Sequence, residues 1–265
     1  MGIIVKAGLH VCVIILFMEL TILTGLFDKV HTECGYQFYA ETSYKVPSLL
    51  PSWLKMPANS LINSGYIAVG MYGLWLSRKF YHKPDFCYCL AIFSWMAICY
   101  GPIQFCRIVT QNHRAAVLDQ WVTLPFFAWV IVWCISVCNV FSKSWSMCIS
   151  CLSVMSYFLT LLTIFGFEIA LGLHIAVAIG ATIYAQHKYG DSTSFLALIG
   201  ALANCCGFVF LKLYDHELAR WQIFQTLTGH FWSKVCDCLQ IYFVCKFYCR
   251  LNPDMILSQK IRKSM

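Results

Sequence analysis

The sequence predicts an all-α, polytopic membrane helix bundle of about eight transmembrane helices, an extra N-terminal helix followed by a seven-helix core. Three observations predict it. Hydrophobic residues make up 60% of the 265 and charged residues only 12%, where a soluble domain carries about a quarter charged residues. The apolar residues gather in runs of roughly 20, the length that crosses a hydrocarbon core about 30 Å thick. The basic residues behind the net charge of +7 lie between and beyond those runs. There they orient spans, whereas nucleic-acid binding would need a concentrated basic face; no nucleic-acid partner is expected.

Spans are expected over residues 7–27, 58–76, 86–106, 119–141, 147–165, 167–184, 194–213 and 230–251. The chain then divides into an N-terminal helix (1–28), a non-cytosolic loop (29–57), the seven-helix core (58–251) and a basic cytosolic tail (252–265). The first run is long for a signal peptide and carries Glu19, so it reads as a span. The apolar block 147–184 is too long for one helix at 1.5 Å per residue, and Gly166 with Glu168 marks a turn inside it. Gly101-Pro102 and Pro125 predict kinks. Between the last two spans, Leu218, Trp221, Phe224 and Leu227 recur at helical spacing opposite Asp215, His216 and Arg220, which predicts an interfacial helix.

Eight spans assign Lys6, Arg78, Lys79, Lys83, Lys143, Lys188, Lys246, Arg250 and the tail to one side, and a smaller basic set that includes Lys29, Arg114, Lys212 and Arg220 to the other. That imbalance predicts cytosolic termini. The Arg262-Lys263 pair resembles a retrieval signal, so an endomembrane such as Golgi or ER is favoured over the plasma membrane. Most of the 16 cysteines fall inside apolar runs and read as small core residues. The Cys148-x-x-Cys151 spacing leaves redox or metal chemistry as the alternative. His174, alone in an apolar run, reads as a core histidine with its hydrogen bonds met.

Charged groups at membrane depth cost about 2.5–3.5 kcal/mol each and usually face protein or water. Asn59 and Asn63 open the second span on one face; Gln104, Arg107 and Gln111 close the third. Asp119 begins the fourth, with Thr123 one turn on, and His230, Lys234 and Asp237 share a face of the last. Alternating crossings bring all of these to one end of the bundle. Two readings stand: a structural network, in which Arg107 pairs with Asp119 and Lys234 with Asp237, or a ligand or catalytic site with Asp119 and His230 as acid–base candidates.

The strings Met56-Pro57-Ala58-Asn59-Ser60-Leu61-Ile62-Asn63, Arg114-Ala115-Ala116-Val117-Leu118-Asp119-Gln120-Trp121, Leu211-Lys212-Leu213-Tyr214-Asp215-His216 and Leu227-Thr228-Gly229-His230-Phe231-Trp232-Ser233-Lys234-Val235-Cys236-Asp237 resemble the transmembrane protein 187 family over essentially the whole chain. More distantly, the polar spacing is similar to the alkaline ceramidase and adiponectin receptor superfamily of seven-helix membrane hydrolases. That likeness implies an Asn-rich helix at Asn59 and Asn63, an Asp at Asp119 and the first His of a final zinc-binding pair at His230. Lys234 stands where the second His belongs, Arg107 stands near the expected second-helix His, and no Ser precedes it by a turn. Two cations there would repel zinc, so no metal or cofactor is expected. A cavity of this kind suits an anionic head group or carboxylate on a membrane lipid. A lipid amide or ester hydrolase and a structural or assembly role are the alternatives.

Overall fold

The computed structural model describes residues 2–41, 51, 53–137 and 143–251. These residues form α-helices, 3-10 turns and connections, and no strand occurs among them. The tail from residue 252 and the far end of the fourth expected span lie outside the described residues.

The helices are α1 (Ile3–Leu23), α2 (Pro57–Leu61), α3 (Ser64–Ser77), α4 (Pro84–Thr110), α5 (His113–Val137), α6 (Lys143–Ser156), α7 (Gly166–Tyr189), α8 (Ser192–Leu213), α9 (Asp215–Leu218) and α10 (Gly229–Arg250). Six stretches are long and apolar enough to cross a membrane: α1, α4, α5, α7, α8, and α6 with the 3-10 turn that continues it. The helical segments 57–77 and 229–250 are of spanning length at 1.5 Å per residue. One is interrupted and the other carries the polar stripe of His230, Lys234 and Asp237.

α4 and α5 form the centre. They are joined by a two-residue link in which Gln111 takes a left-handed backbone (φ 49°) and its N–H bonds to Arg107 O, ending α4. α1 packs on both, with Gly8 against the Trp95 ring and the Trp95 indole donating to Ile4 O at 3.0 Å. α3 lies on α4 at close range, because a side chain at Gly70 would strike Ser94 O at 2.6 Å. α7 covers α5, and α8 pairs with α10.

Three expectations about elements change. The second span is not one helix: the Asn63 side chain donates to Asn59 O and Ser60 O, and the rod breaks between α2 and α3. Asp119 sits in the second turn of α5, which starts at His113. The interfacial helix does not form. Residues 215–229 hold one α turn and one 3-10 turn, because Asp215 points inward to bond backbone N–H groups instead of facing water. The turn at Gly166 is present. It starts α7, and a side chain there would collide with the Leu159 carbonyl, while exposed Glu168 sits in the first helical turn, where a carboxylate is favoured. His174 has both ring nitrogens engaged, with Ala170 O and Ser153 Oγ. The described cysteines are free thiols.

Candidate functional site

At the ends of α4 and α10 and the start of α5, polar side chains meet inside the bundle. Arg107 of α4 pairs with Asp119 of α5. Gln104, one turn before Arg107, donates to the other Asp119 oxygen and to Tyr100 OH. Its carbonyl accepts from the Lys234 ammonium of α10. Lys234 also stands over the faces of Tyr66 and Tyr100, 5.8 and 6.0 Å from their centroids. Asp237, one turn on, accepts from Tyr66 OH at 2.6 Å. Thr123 donates to Asp119 O and meets Tyr100 OH at 3.1 Å. Arg107, Asp119 and Lys234 are all buried.

Gln104, Arg107, Asp119 and Lys234 therefore join in one network, and Asp237 is reached from it through the Tyr66 and Tyr100 rings, 5.0 Å apart. The Arg107–Asp119 pair expected from spacing is present. Lys234 and Asp237 bond separately, to Gln104 and Tyr66, because residues three apart on α10 are offered closer partners by α3 and α4. Asn63 spends its amide donor on the helix break.

A strap formed by residues 28–41 lies across this end. His113 Nε2 meets Val30 O at 2.7 Å, Arg107 donates to Glu33 O at 3.2 Å, and Gly35 N–H donates to Gln111 Oε1 at 2.8 Å. Tyr39 packs edge-on against the His230 ring, centroids 4.8 Å apart. Buried Asp215 clamps the strap to α10, accepting from Ala40 N–H at 2.8 Å and His230 N–H at 2.7 Å. Buried Glu41 accepts from Ala58 and Asn59 N–H, both at 2.9 Å, and so caps α2 from a distant part of the chain. Burial pushes the Glu41 carboxyl above its ordinary value, partly offset by those two N–H donors.

Sequence reading missed Glu41, Asp215 and Lys212. Glu41 bonds residues 17 and 18 positions away, and no local pattern encodes that. Asp215 carried the polar phase of a presumed amphipathic helix. Lys212 of α8 reads as an orienting charge, yet it lies within electrostatic range of Arg107, Asp119 and Asp237. It forms no hydrogen bond or ion pair among the described residues.

Several buried polar atoms here find no hydrogen-bond partner among the described residues: both amide atoms of Asn59, Ser60 Oγ, Asn63 Oδ1, Arg107 Nε, Thr228 Oγ1 and His230 Nε2. Such groups each cost about 1–3 kcal/mol if left so, and their gathering at one place marks a site for water or ligand. A narrow apolar cleft starts beside Tyr100, Thr123 and Asp237. It shares Phe127, Val130, Gln240 and Val244 with a second cleft leading between α7 and α8. Among the described residues no three His, Cys, Asp or Glu side chains converge as a metal would require.

No solved structure matches the chain. The chain is 43% identical to human "Transmembrane protein 187" over 247 residues, covering 93% of each sequence. It is 42% identical to the bovine protein of the same name over 251 residues, covering 93% of this chain and 97% of that one. Residues 7–249 match the TMEM187 protein family, and the chain belongs to it.

Proposed function

We propose that the polar end of this multi-pass membrane protein binds an anionic head group or carboxylate of a membrane lipid. One observation carries the reading. Among the described residues of α4, α5, α8 and α10 three cations, buried Arg107 and Lys234 and half-buried Lys212, stand against two carboxylates, buried Asp119 and half-buried Asp237, with exposed Glu33 at the rim and Glu41 and Asp215 engaged by backbone N–H groups. Lys212 carries no bonded counter-ion, and an anion beside it relieves the cost of its partial burial. The orphaned donors Asn59 Nδ2 and Arg107 Nε, together with His230 Nε2, supply further bonds. The adjoining narrow apolar clefts offer apolar surface for a lipid chain to pack along.

The hydrolase alternative asks Asp119 to act as a base, but both its oxygens are engaged by Gln104 and Arg107. Kinship to the ceramidase-like hydrolases rests on Asn59, Asn63, Asp119 and His230 alone. Lys234, bonded to Gln104 where that group's second His would stand, favours a metal-free descendant. The same reading takes 57–77 and 229–250 as spans, giving eight crossings with both termini in the cytosol of an endomembrane; protease protection of terminal tags tests it.

Binding is tested on the purified, delipidated full chain by native mass spectrometry with oleate, dioleoyl phosphatidic acid and neutral dioleoylglycerol. The anionic probes should bind and the neutral one should not, and Lys212→Gln and Lys234→Gln should each weaken anion binding about tenfold or more. Unchanged binding in both folded variants removes the proposal.

A further inference from the structure

The opposite end of the bundle holds a second cavity, and none of the polar network reaches it. Asp85 in the first turn of α4 and Arg107 near its end are 22 residues apart, about 33 Å along a helix. That separation is close to the thickness of a bilayer core. Here α1, α4 and α6 leave an open cleft, lined by Lys6, His10, Asp85 and Tyr88 among others. It shares His10, Trp129 and Ser150 with a deeper and narrower apolar groove, so the two adjoin. The deeper part is walled by aliphatic side chains such as Val11, Ile14, Met18 and Ile92. From Lys6 to Met18 the wall runs about 18 Å, slightly more than one leaflet's share of the hydrocarbon.

The chemistry changes along this path from charged to apolar. Lys6 and His10, four apart on α1, share one wall; Asp85 and Tyr88, three apart on α4, share the facing one. His10 Nδ1 and Tyr88 OH, 2.8 Å apart, tie the walls together at the boundary between the two zones. The Trp129 ring stands edge-on to His10 at 6.0 Å. Among the described residues that line it, the mouth therefore offers one cation, Lys6, one anion, Asp85, and aromatic faces, and the interior offers hydrocarbon. A purely anionic lipid would meet the carboxylate of Asp85 unfavourably. A head group carrying both a phosphate and an ammonium matches both walls, and a quaternary ammonium gains further from Tyr88 and Trp129.

We propose that this cleft binds a zwitterionic phospholipid of the choline type, with its phosphate at Lys6, its ammonium at Asp85 and Tyr88, and one acyl chain in the cavity between α1, α4 and α5. The site is independent of the polar cluster and does not rest on the function proposed for it.

The test uses the full chain, delipidated and titrated with dioleoyl phosphatidylcholine or dioleoyl phosphatidylglycerol under native mass spectrometry. Phosphatidylcholine should be retained about fivefold better than phosphatidylglycerol, the worth of one partly exposed charge contact. Asp85→Lys should reverse that preference, and Lys6→Glu should weaken both lipids. Ile14→Trp, which fills the interior, should abolish retention. Because Ile14→Trp could disturb packing, Asp85→Lys at the exposed mouth decides the matter independently. Equal retention of the two lipids by the parent chain, or an unreversed preference in Asp85→Lys, would each overturn the proposal.

Discussion

At one end of the bundle, Arg107 of α4 pairs with Asp119 of α5 and Lys234 of α10 joins them through Gln104, beneath a strap of residues 28–41. At the other, Lys6 and Asp85 stand exposed at the mouth of an open cleft. Both ends put charge on membrane helices, where solvation by lipid tails is unavailable. The strapped end solves most of the problem internally, Arg107, Asp119, Lys234 and Asp237 each held by a partner on another helix, so that register and charge state become one property. The open end leaves its charges within reach of water and head groups. Removing one group should therefore be expensive at the first end and cheap at the second.

The sharpest break in this contrast is Asp119→Asn, which leaves the buried Arg107 guanidinium without its counter-ion. A loss on the order of 3–5 kcal/mol is expected, the usual consequence of stripping one partner from a buried pair. Asp85→Asn at the open end should stay within about 0.5 kcal/mol. Unfolding of both variants in the same nanodiscs gives the comparison directly. Equal losses would mean that the polar network carries no more stability than an exposed side chain.

How far this contrast could be read from the chain alone differs between its halves. The membrane class and most helices are written in apolar runs of bilayer length, a signal strong enough to survive interruption by Pro102 and Pro125. The members of the buried network follow from alternating crossings, because topology alone assigns Arg107, Asp119 and Lys234 to one end. Their pairings do not follow. Lys234 chose Gln104 over Asp237 through packing of α10 near α4 and α3, and no spacing within α10 encodes that choice. The strap was illegible for the same reason: Asp215 holds Ala40 from 175 residues away. The helix break at Asn63 shows a local cue misread, since an asparagine able to bond its own preceding carbonyls also ends helices.

A smaller effect sharpens the strap's part in closing one end. Asp215→Ala removes the acceptor of the Ala40 and His230 N–H groups and should cost about 1–3 kcal/mol, less if water takes its place. Amide exchange should quicken at residues 38–41 and 229–231 while residues 4–10 of α1 keep the parent's rate. Equal acceleration in α1 would show that the clamp stabilises the whole bundle and not one end of it.

The smallest expected effect is a pH dependence confined to the strapped end. Burial raises the Glu41 carboxyl above its ordinary value of 4.5, and the nearby Asp215 carboxylate adds to the rise. A carboxyl that holds its proton more tightly when docked than when free favours docking under acid conditions. Its contribution is complete below the ordinary glutamate range and is lost as pH climbs through the raised value. The Ala58 and Asn59 N–H groups that Glu41 accepts from lessen the shift, because they favour the carboxylate. Strap exchange at Ala40, Ala58 and Asn59, corrected for its intrinsic pH dependence, should therefore quicken modestly from about pH 4.5 upward. Exchange at the open end should not follow it, and Glu41→Gln should flatten the strap profile. A profile in Glu41→Gln as steep as the parent's would assign the titration to another group and leave Glu41 as a plain helix cap.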